Sequence, residues 1–174
     1  MANESDKMTN STVYHWVSNL NPDNLTKAAC FDLDWTLVRP NSSKFPKTYD
    51  DSVIMSGRIN ILNKYIEFGY TIIIFTNQKI TKKENLQFKL DRINDILNKF
   101  GEDKIYPIVY MSIADDKYRK PNIGMWEEFR KYYKKITTAF YCGDAAGRSS
   151  DFSDSDLKFA ENIGVKFYTP EELF

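Results

Sequence analysis

The chain carries one histidine and two cysteines in 174 residues. That scarcity excludes a zinc site built from a Cys/His cluster and a disulfide framework. Cys30 and Cys142 each stand in an apolar, strand-like run, two residues before an acid. They read as small buried thiols of a reducing compartment rather than a redox pair. Net charge is also lacking, with Lys+Arg 24 against Asp+Glu 24. This argues against a domain that holds nucleic acid by bulk electrostatics alone, while leaving room for a local basic rim. No apolar run is long enough for a membrane span, and the polar opening MANESDKMTNST lacks a signal-peptide pattern. An intracellular protein without membrane contact is expected. No basic targeting cluster distinguishes nucleus from cytoplasm, and the Asn-x-Ser/Thr matches at Asn10, Asn24 and Asn41 read as accidental. Repeats and low-complexity stretches are missing too.

What is present is an aromatic-rich, ordinary globular composition: 42% hydrophobic, 28% charged and 15% aromatic. The length suits one domain with a substantial core. Residues 1–10 are expected to form a disordered polar tail ahead of a domain over 11–174. A short strand at Thr12–Ser18 precedes the turn Asn21-Pro22-Asp23-Asn24, and a longer strand at Lys27–Leu33 follows. The segment Arg39–Asp51 reads as a polar loop. Ile59, Leu62 and Ile66 mark a helix stopped by Gly69, and Tyr70–Phe75 a strand buried on both faces. A helix from about Lys82 to Phe100 has Leu86, Leu90, Ile93 and Leu97 as its apolar stripe. Pro107–Met111 is a buried strand. Asn122 is the expected N-cap of a helix carrying Met125, Trp126 and Phe129. Thr138–Cys142, Asp156–Ile163, Val165–Tyr168 and a helical turn from Pro170 complete the pattern. Strands alternating with helices imply an α/β fold, a doubly wound parallel sheet covered on both faces.

In such sheets functional groups collect beyond the carboxyl ends of the strands. Asp32 and Asp34 end the first core strand, where period-2 geometry would put both acids on one side. Thr76 and Asn77 end the next, Arg119-Lys120-Pro121 lie in the loop after the third, and Gly143-Asp144 end the fourth. Three acids, a hydroxyl and an ammonium at one sheet edge suit phosphoryl transfer. Asp32 is the expected nucleophile, forming an aspartyl-phosphate. Asp34 is the expected acid/base, and Thr76 and Lys120 donate to the phosphoryl group. Mg²⁺ is expected on Asp32 and Asp144, with the backbone carbonyl of Asp34.

This constellation resembles the haloacid dehalogenase (HAD) superfamily, with motifs at Asp32-Leu33-Asp34-Trp35-Thr36, Thr76, Lys120 and Asp144. A narrower resemblance extends from about Ala28 to the end of the chain. The segments Phe75-Thr76-Asn77-Gln78, Tyr118-Arg119-Lys120-Pro121, Gly143-Asp144-Ala145-Ala146-Gly147-Arg148, Asp151-Phe152-Ser153 and Thr169-Pro170-Glu171-Glu172-Leu173-Phe174 are similar to the DNA 3'-phosphatase domain of polynucleotide kinase 3'-phosphatases. The resemblance implies a Rossmann-like HAD fold and removal of 3'-phosphates from DNA ends during strand-break repair. It also implies DNA ends and repair proteins as partners of a monomeric enzyme. It places Thr36, Asn77, Gln78, Arg119 and Arg148 at the substrate. The chain departs from the pattern at Trp35, where glycine is common. No GxxxxGK[ST] motif is present, so 5'-kinase activity is not expected from this polypeptide.

The intervals Asp32–Thr76 and Thr76–Lys120 leave no room for an inserted cap, so an open site is expected, suited to a polymer end. Lys79, Lys82, Lys83, Lys117 and Arg119 would ring it. Asp151 is the expected acid near the metal, with Asp154 and Asp156 capping a helix. Trp126, Phe129, Tyr132 and Tyr133 read as packing. Two alternatives stand beside the DNA reading: a capless phosphatase for histidinol phosphate or a sugar phosphate, and a catalytically silent binder of DNA ends.

Overall fold

Every second side chain of the central strands faces the same side of one sheet, and both sides are dry. In β2 (Lys27–Phe31), Ala29 and Phe31 enter one core while Ala28 and Cys30 enter the other. In β5 (Thr71–Asn77), Ile72 and Ile74 alternate in the same way with Ile73 and Phe75. A strand buried on both faces must be apolar throughout and must be covered by helices on both sides. The computed structural model describes residues 12–17 and 21–174. The tail expected at 1–10 and the Ser18 end of the first strand lie outside the described residues.

The remaining elements are β1 (Val13–Trp16), β3 (Val38–Pro40), β4 (Ser52–Ile54), α1 (Arg58–Glu67), α2 (Leu86–Glu102), β6 (Ile108–Ser112), α3 (Gly124–Tyr132), β7 (Thr138–Cys142), α4 (Ser155–Ile163), β8 (Lys166–Tyr168) and the single turn α5 (Pro170–Leu173). The main sheet has six strands in the order β1-β6-β5-β2-β7-β8. All pairs are parallel except β1 against β6, the expected short N-terminal strand at an edge. Leu62 of α1 and Ile93, Ile96 and Phe100 of α2 cover one face. Met125 and Phe129 of α3 and Phe159 and Ala160 of α4 cover the other. Strand order reverses at β2, so the crossovers leave a crevice at its carboxyl end, between β5 and β7. Among the described residues no helix is long and apolar enough to cross a membrane.

Five local expectations need correction. The Arg39–Asp51 loop is the connection of a hairpin, with Val38 paired to Ile54 and Pro40 to Ser52. Its strands have three residues each and one contains proline, too short a pattern to show period-2 alternation. The second long helix starts at Leu86 rather than Lys82, because the Asn85 side chain accepts from the Phe88 N–H at 2.9 Å and caps it. Its buried face is Lys89, Arg92, Ile93, Ile96 and Phe100, whereas Leu90 and Leu97 only flank the core. Asn122 does not cap α3; Ile123 occupies that position, and the Asn122 amide donates to the Asp116 carbonyl at 2.8 Å. Of the α3 aromatics, Phe129 and Tyr133 are buried, but Tyr132 is exposed.

Trp35 has φ +62°, in the left-handed region. Its N–H donates to the Val38 carbonyl at 2.7 Å, closing the turn that ends the first motif. Glycine is the residue without steric penalty there. The start of α3 is equally tight. A Cβ at Gly124 would lie 2.5 Å from the Lys117 carbonyl oxygen and 2.9 Å from the Tyr118 ring, in the loop that carries Lys120. Helix propensity alone would give Gly124→Ala a gain of about 1 kcal/mol. The backbone contact should reverse the sign, to a loss of about 1–3 kcal/mol in urea denaturation; a stabilised variant would contradict this packing.

Candidate functional site

At the carboxyl end of β2 the chain turns sharply, and the two acids expected to share one side part company. Asp32 faces Lys120, and Asp34 faces Arg92. The Lys120 ammonium donates to Asp32 Oδ1 at 2.6 Å, to the Tyr141 hydroxyl at 2.7 Å and to Asp156 Oδ1 at 2.8 Å, which uses all three of its protons. Lys120 itself is 3% exposed. It reaches this position because Asn77, at the end of β5, clamps its backbone. The Asn77 amide donates to the Lys120 carbonyl at 3.0 Å, and the Lys120 N–H donates to Asn77 Oδ1 at 2.9 Å. The Lys120–Pro121 peptide bond is cis.

Asp32, Asp144 and Asp156 present carboxylate oxygens within 4.8 Å of one another. Three carboxylates against one ammonium leave a formal excess of two negative charges, in an all-oxygen donor set that fits a hard divalent cation. The protonation equilibria reflect the same excess. Burial, together with the Asp156 and Asp144 charges and against the pull of Lys120, holds the Asp32 carboxyl well above the usual range. Burial and the Asp156 charge push Asp144 up to about 6. At Lys120 burial favours the neutral amine, but Asp156 and Asp32 outweigh it and raise the ammonium's affinity for its proton. The oxygens are not equally engaged. Asp156 Oδ1 accepts from Lys120 and from Tyr141 (3.0 Å), and Oδ2 accepts from the Ala145 N–H at 3.0 Å. Asp144 Oδ1 accepts only a long 3.4 Å bond from the Thr36 hydroxyl.

A second, cationic cluster surrounds Asp34. Gln78 Nε2 donates to Asp34 Oδ2 at 2.6 Å and to Thr76 Oγ1 at 2.9 Å. Arg92 bonds both Asp34 oxygens, Nη1 to Oδ2 at 3.2 Å and Nη2 to Oδ1, while its Nε donates to Ser52 Oγ at 3.1 Å. Lys89 donates to Gln78 Oε1 at 3.3 Å and pairs with Glu84. Burial alone would raise Asp34, but the Arg92 charge and its hydrogen bonds prevail and hold the carboxyl below the usual range.

Acids, lysine and hydroxyl gather at the end of β2, and comparison with known proteins says which family the chain joins. A family described as polynucleotide kinase 3 phosphatase matches residues 27–174. The chain belongs to this family. An uncharacterized 20.8 kDa protein of Autographa californica nuclear polyhedrosis virus is 41% identical over 164 residues, 85% of each chain. The bifunctional polynucleotide phosphatase/kinase of Schizosaccharomyces pombe is 39% identical over 85% of this chain, which spans only 37% of that enzyme's length. Among solved structures, D,D-heptose 1,7-bisphosphate phosphatase from B. bronchiseptica, complexed with magnesium and phosphate, superposes with TM-score 0.65 at 16% identity, over 83% of this chain and 80% of the other. This likeness establishes a shared fold.

For a polynucleotide kinase 3 phosphatase domain, the sequence-predicted residues are largely brought together. Asp32, Lys120, Asp144 and Thr36 form one bonded cluster, and Asp34, Thr76 and Gln78 the other. Arg119 and Arg148 lie outside both. Arg119 Nε pairs with Asp115 at 2.9 Å, and its buried Nη1 has no partner. Arg148 pairs with Asp151 and Glu171, both at 2.9 Å, and donates to the Asp144 carbonyl at 3.2 Å. The acid beside the lysine is Asp156, not Asp151. The Asp151 carboxylate accepts instead from the Ala146 and Arg148 N–H groups and shapes that loop. Arg92 and Tyr141 escape sequence reading, and Asp156 is read there only as a helix cap. For Arg92 a signal exists: Lys89 and Arg92 fall on the same helical face as Ile93 and Ile96, where a cation must find a buried partner.

Asp144 yields a pH prediction. Its folded pKa of about 6 lies above the unfolded value of about 3.9. Ionising it therefore costs stability progressively as pH rises between those values, and costs nothing below both. In EDTA, Asp144→Asn should melt higher than the parent near neutral pH, with the gap closing below about pH 4. A lower midpoint near neutrality would show that Asp144 is not held under electrostatic strain.

Proposed function

We propose that this domain hydrolyses 3'-terminal phosphates on DNA ends, through an aspartyl-phosphate on Asp32 and with Mg²⁺. The carrying observation is the buried Asp32–Lys120 pair at the end of β2, beside an acid cluster with excess negative charge, in a chain of the polynucleotide kinase 3 phosphatase family. Asp32 attacks phosphorus as its carboxylate; a new bond forms from its oxygen and the ester bond to the 3'-oxygen breaks. Asp34 gives that oxygen its proton, and later takes one from the water that cleaves the acyl phosphate. Lys120, held on three partners, stabilises charge on the phosphoryl oxygens, and Thr76 donates beside it. Asp32 and Asp144, with the Asp34 backbone carbonyl, would hold Mg²⁺, whose charge lets one anion approach another. Asp156, with both oxygens engaged, braces Lys120 and the Ala145 backbone instead.

Substrate size follows from the absence of a cover. Between Asp32 and Thr76 the chain holds the β3–β4 hairpin, α1 and part of β5; between Thr76 and Lys120 it holds α2 and β6. Among the described residues no inserted domain closes the sheet edge. An open site suits the end of a polymer better than a metabolite needing enclosure. Lys82 and Lys83 are exposed just beyond Gln78, and Arg119 stands beside Lys120; these can meet phosphates upstream of the terminal one.

The test is phosphate release from a short 3'-phosphorylated DNA oligonucleotide, with Mg²⁺ and with EDTA, beside histidinol phosphate and a sugar phosphate. Release should be confined to the DNA end, lost in EDTA, and inhibited by unphosphorylated DNA ends. Release from the small esters alone would move the function to metabolism. Asp32→Asn should abolish turnover, a fall of at least about 10⁴-fold, with fold and DNA binding retained; full activity in that variant would sink the covalent route.

A further inference from the structure

Asp34 can protonate a leaving oxygen only if its carboxylate is held where that oxygen departs, and nothing on its own strand holds it. β2 ends at Phe31, and the backbone from Leu33 to Val38 is a turn with Trp35 in the left-handed region. A short side chain on a turn has rotational freedom that a strand would deny it. The constraint arrives from α2. Arg92 is 2% exposed and spends its guanidinium on three groups, both oxygens of Asp34, the hydroxyl of Ser52 in β4 and, at 3.4 Å, the side-chain oxygen of Gln78. Gln78 adds a third contact to the same carboxylate and joins it to Thr76.

We propose that Arg92 is a positioning residue for the chemical step, fixing the Asp34 carboxylate for proton donation without touching substrate. The inference rests on the acid role assigned to Asp34 above. Two features favour it over the other uses of a buried arginine. At 2% exposure the guanidinium cannot be a phosphate clamp for a DNA strand approaching from solvent. A purely structural arginine, for its part, would be paired to a structural acid, whereas this one bonds an acid of the reaction site that is itself about one-third exposed. The planar fork matters, because a two-point contact sets orientation as well as distance. The guanidinium also favours the ionised carboxylate, so its contribution to proton donation is geometric and runs against that preference. Ser52 ties the arrangement to the β3–β4 hairpin, which follows the first motif.

Leaving-group dependence separates positioning from folding. Deoxyribose 3'-oxygen needs a proton to depart, whereas para-nitrophenolate does not. The kcat/KM ratio between the 3'-phosphorylated oligonucleotide and para-nitrophenyl phosphate, measured on one preparation of the full chain, is independent of how much of it is folded. In Arg92→Leu and in the single-point cation Arg92→Lys, that ratio should fall by about 10²-fold, as expected for misplacing a catalytic group. Asp34→Asn should lower it in the same direction. An equal fall on both substrates in the Arg92 variants, or a DNA rate as high as the parent's, would overturn the inference while leaving Asp34 in its role if Asp34→Asn still discriminates. If Asp34→Asn itself loses both substrates equally, the acid reading of Asp34 fails, and the role of Arg92 with it.

Discussion

The site depends on one ammonium placed among carboxylates. Asp32, Asp144 and Asp156 crowd at the ends of β2 and β7 and the start of α4, where their charges repel and burial makes each charge costlier. Lys120 bonds two of them directly and the Tyr141 hydroxyl besides. A buried network of this kind is stable only while every member is satisfied, and removing the cation leaves uncompensated charge. Much of the local architecture serves to deliver that one nitrogen. Asn77 clamps the Lys120 backbone from β5, and Gly124 lets α3 begin against the loop that carries it.

Two aspartates separated by a single residue are thereby sorted into opposite environments. Asp32 sits in an anionic cluster, where burial and the Asp156 and Asp144 charges push its carboxyl above the usual range, whereas Asp34 is paired with Arg92 and Gln78 and held below it. Identical side chains two positions apart are thus held by opposite partners, one among carboxylates and the other among cations. The divider is the turn at Trp35, which breaks the strand's alternation and sends the second carboxylate towards α2. The cost is a bulky aromatic residue at positive φ, in a backbone region that glycine occupies freely.

Legibility followed the reach of each interaction. Asp32, Thr76, Lys120 and Asp144 were readable because each ends or follows a buried strand, and doubly wound topology sends such positions to one edge. The hairpin was not readable, since three-residue strands with a proline carry too little pattern. The start of α2 was missed because Asn85, and not the periodicity, sets it. Asp151 and Asp156 were interchanged for a subtler reason. Both are acids in one loop-to-helix segment, and only the packing of α4 against β7 decides which of them faces Lys120.

By itself the sequence determined the α/β class, the parallel sheet and the carboxyl-end location of four motif residues. These follow from local periodicity and from a topological rule that needs no side-chain detail. Only the tertiary structure decided how the charges pair. Arg92 lies 58 residues from Asp34, and Asp156 lies 36 from Lys120. Electrostatic partnership depends on separations of a few ångströms in space, and a linear pattern carries no record of which buried cation meets which acid.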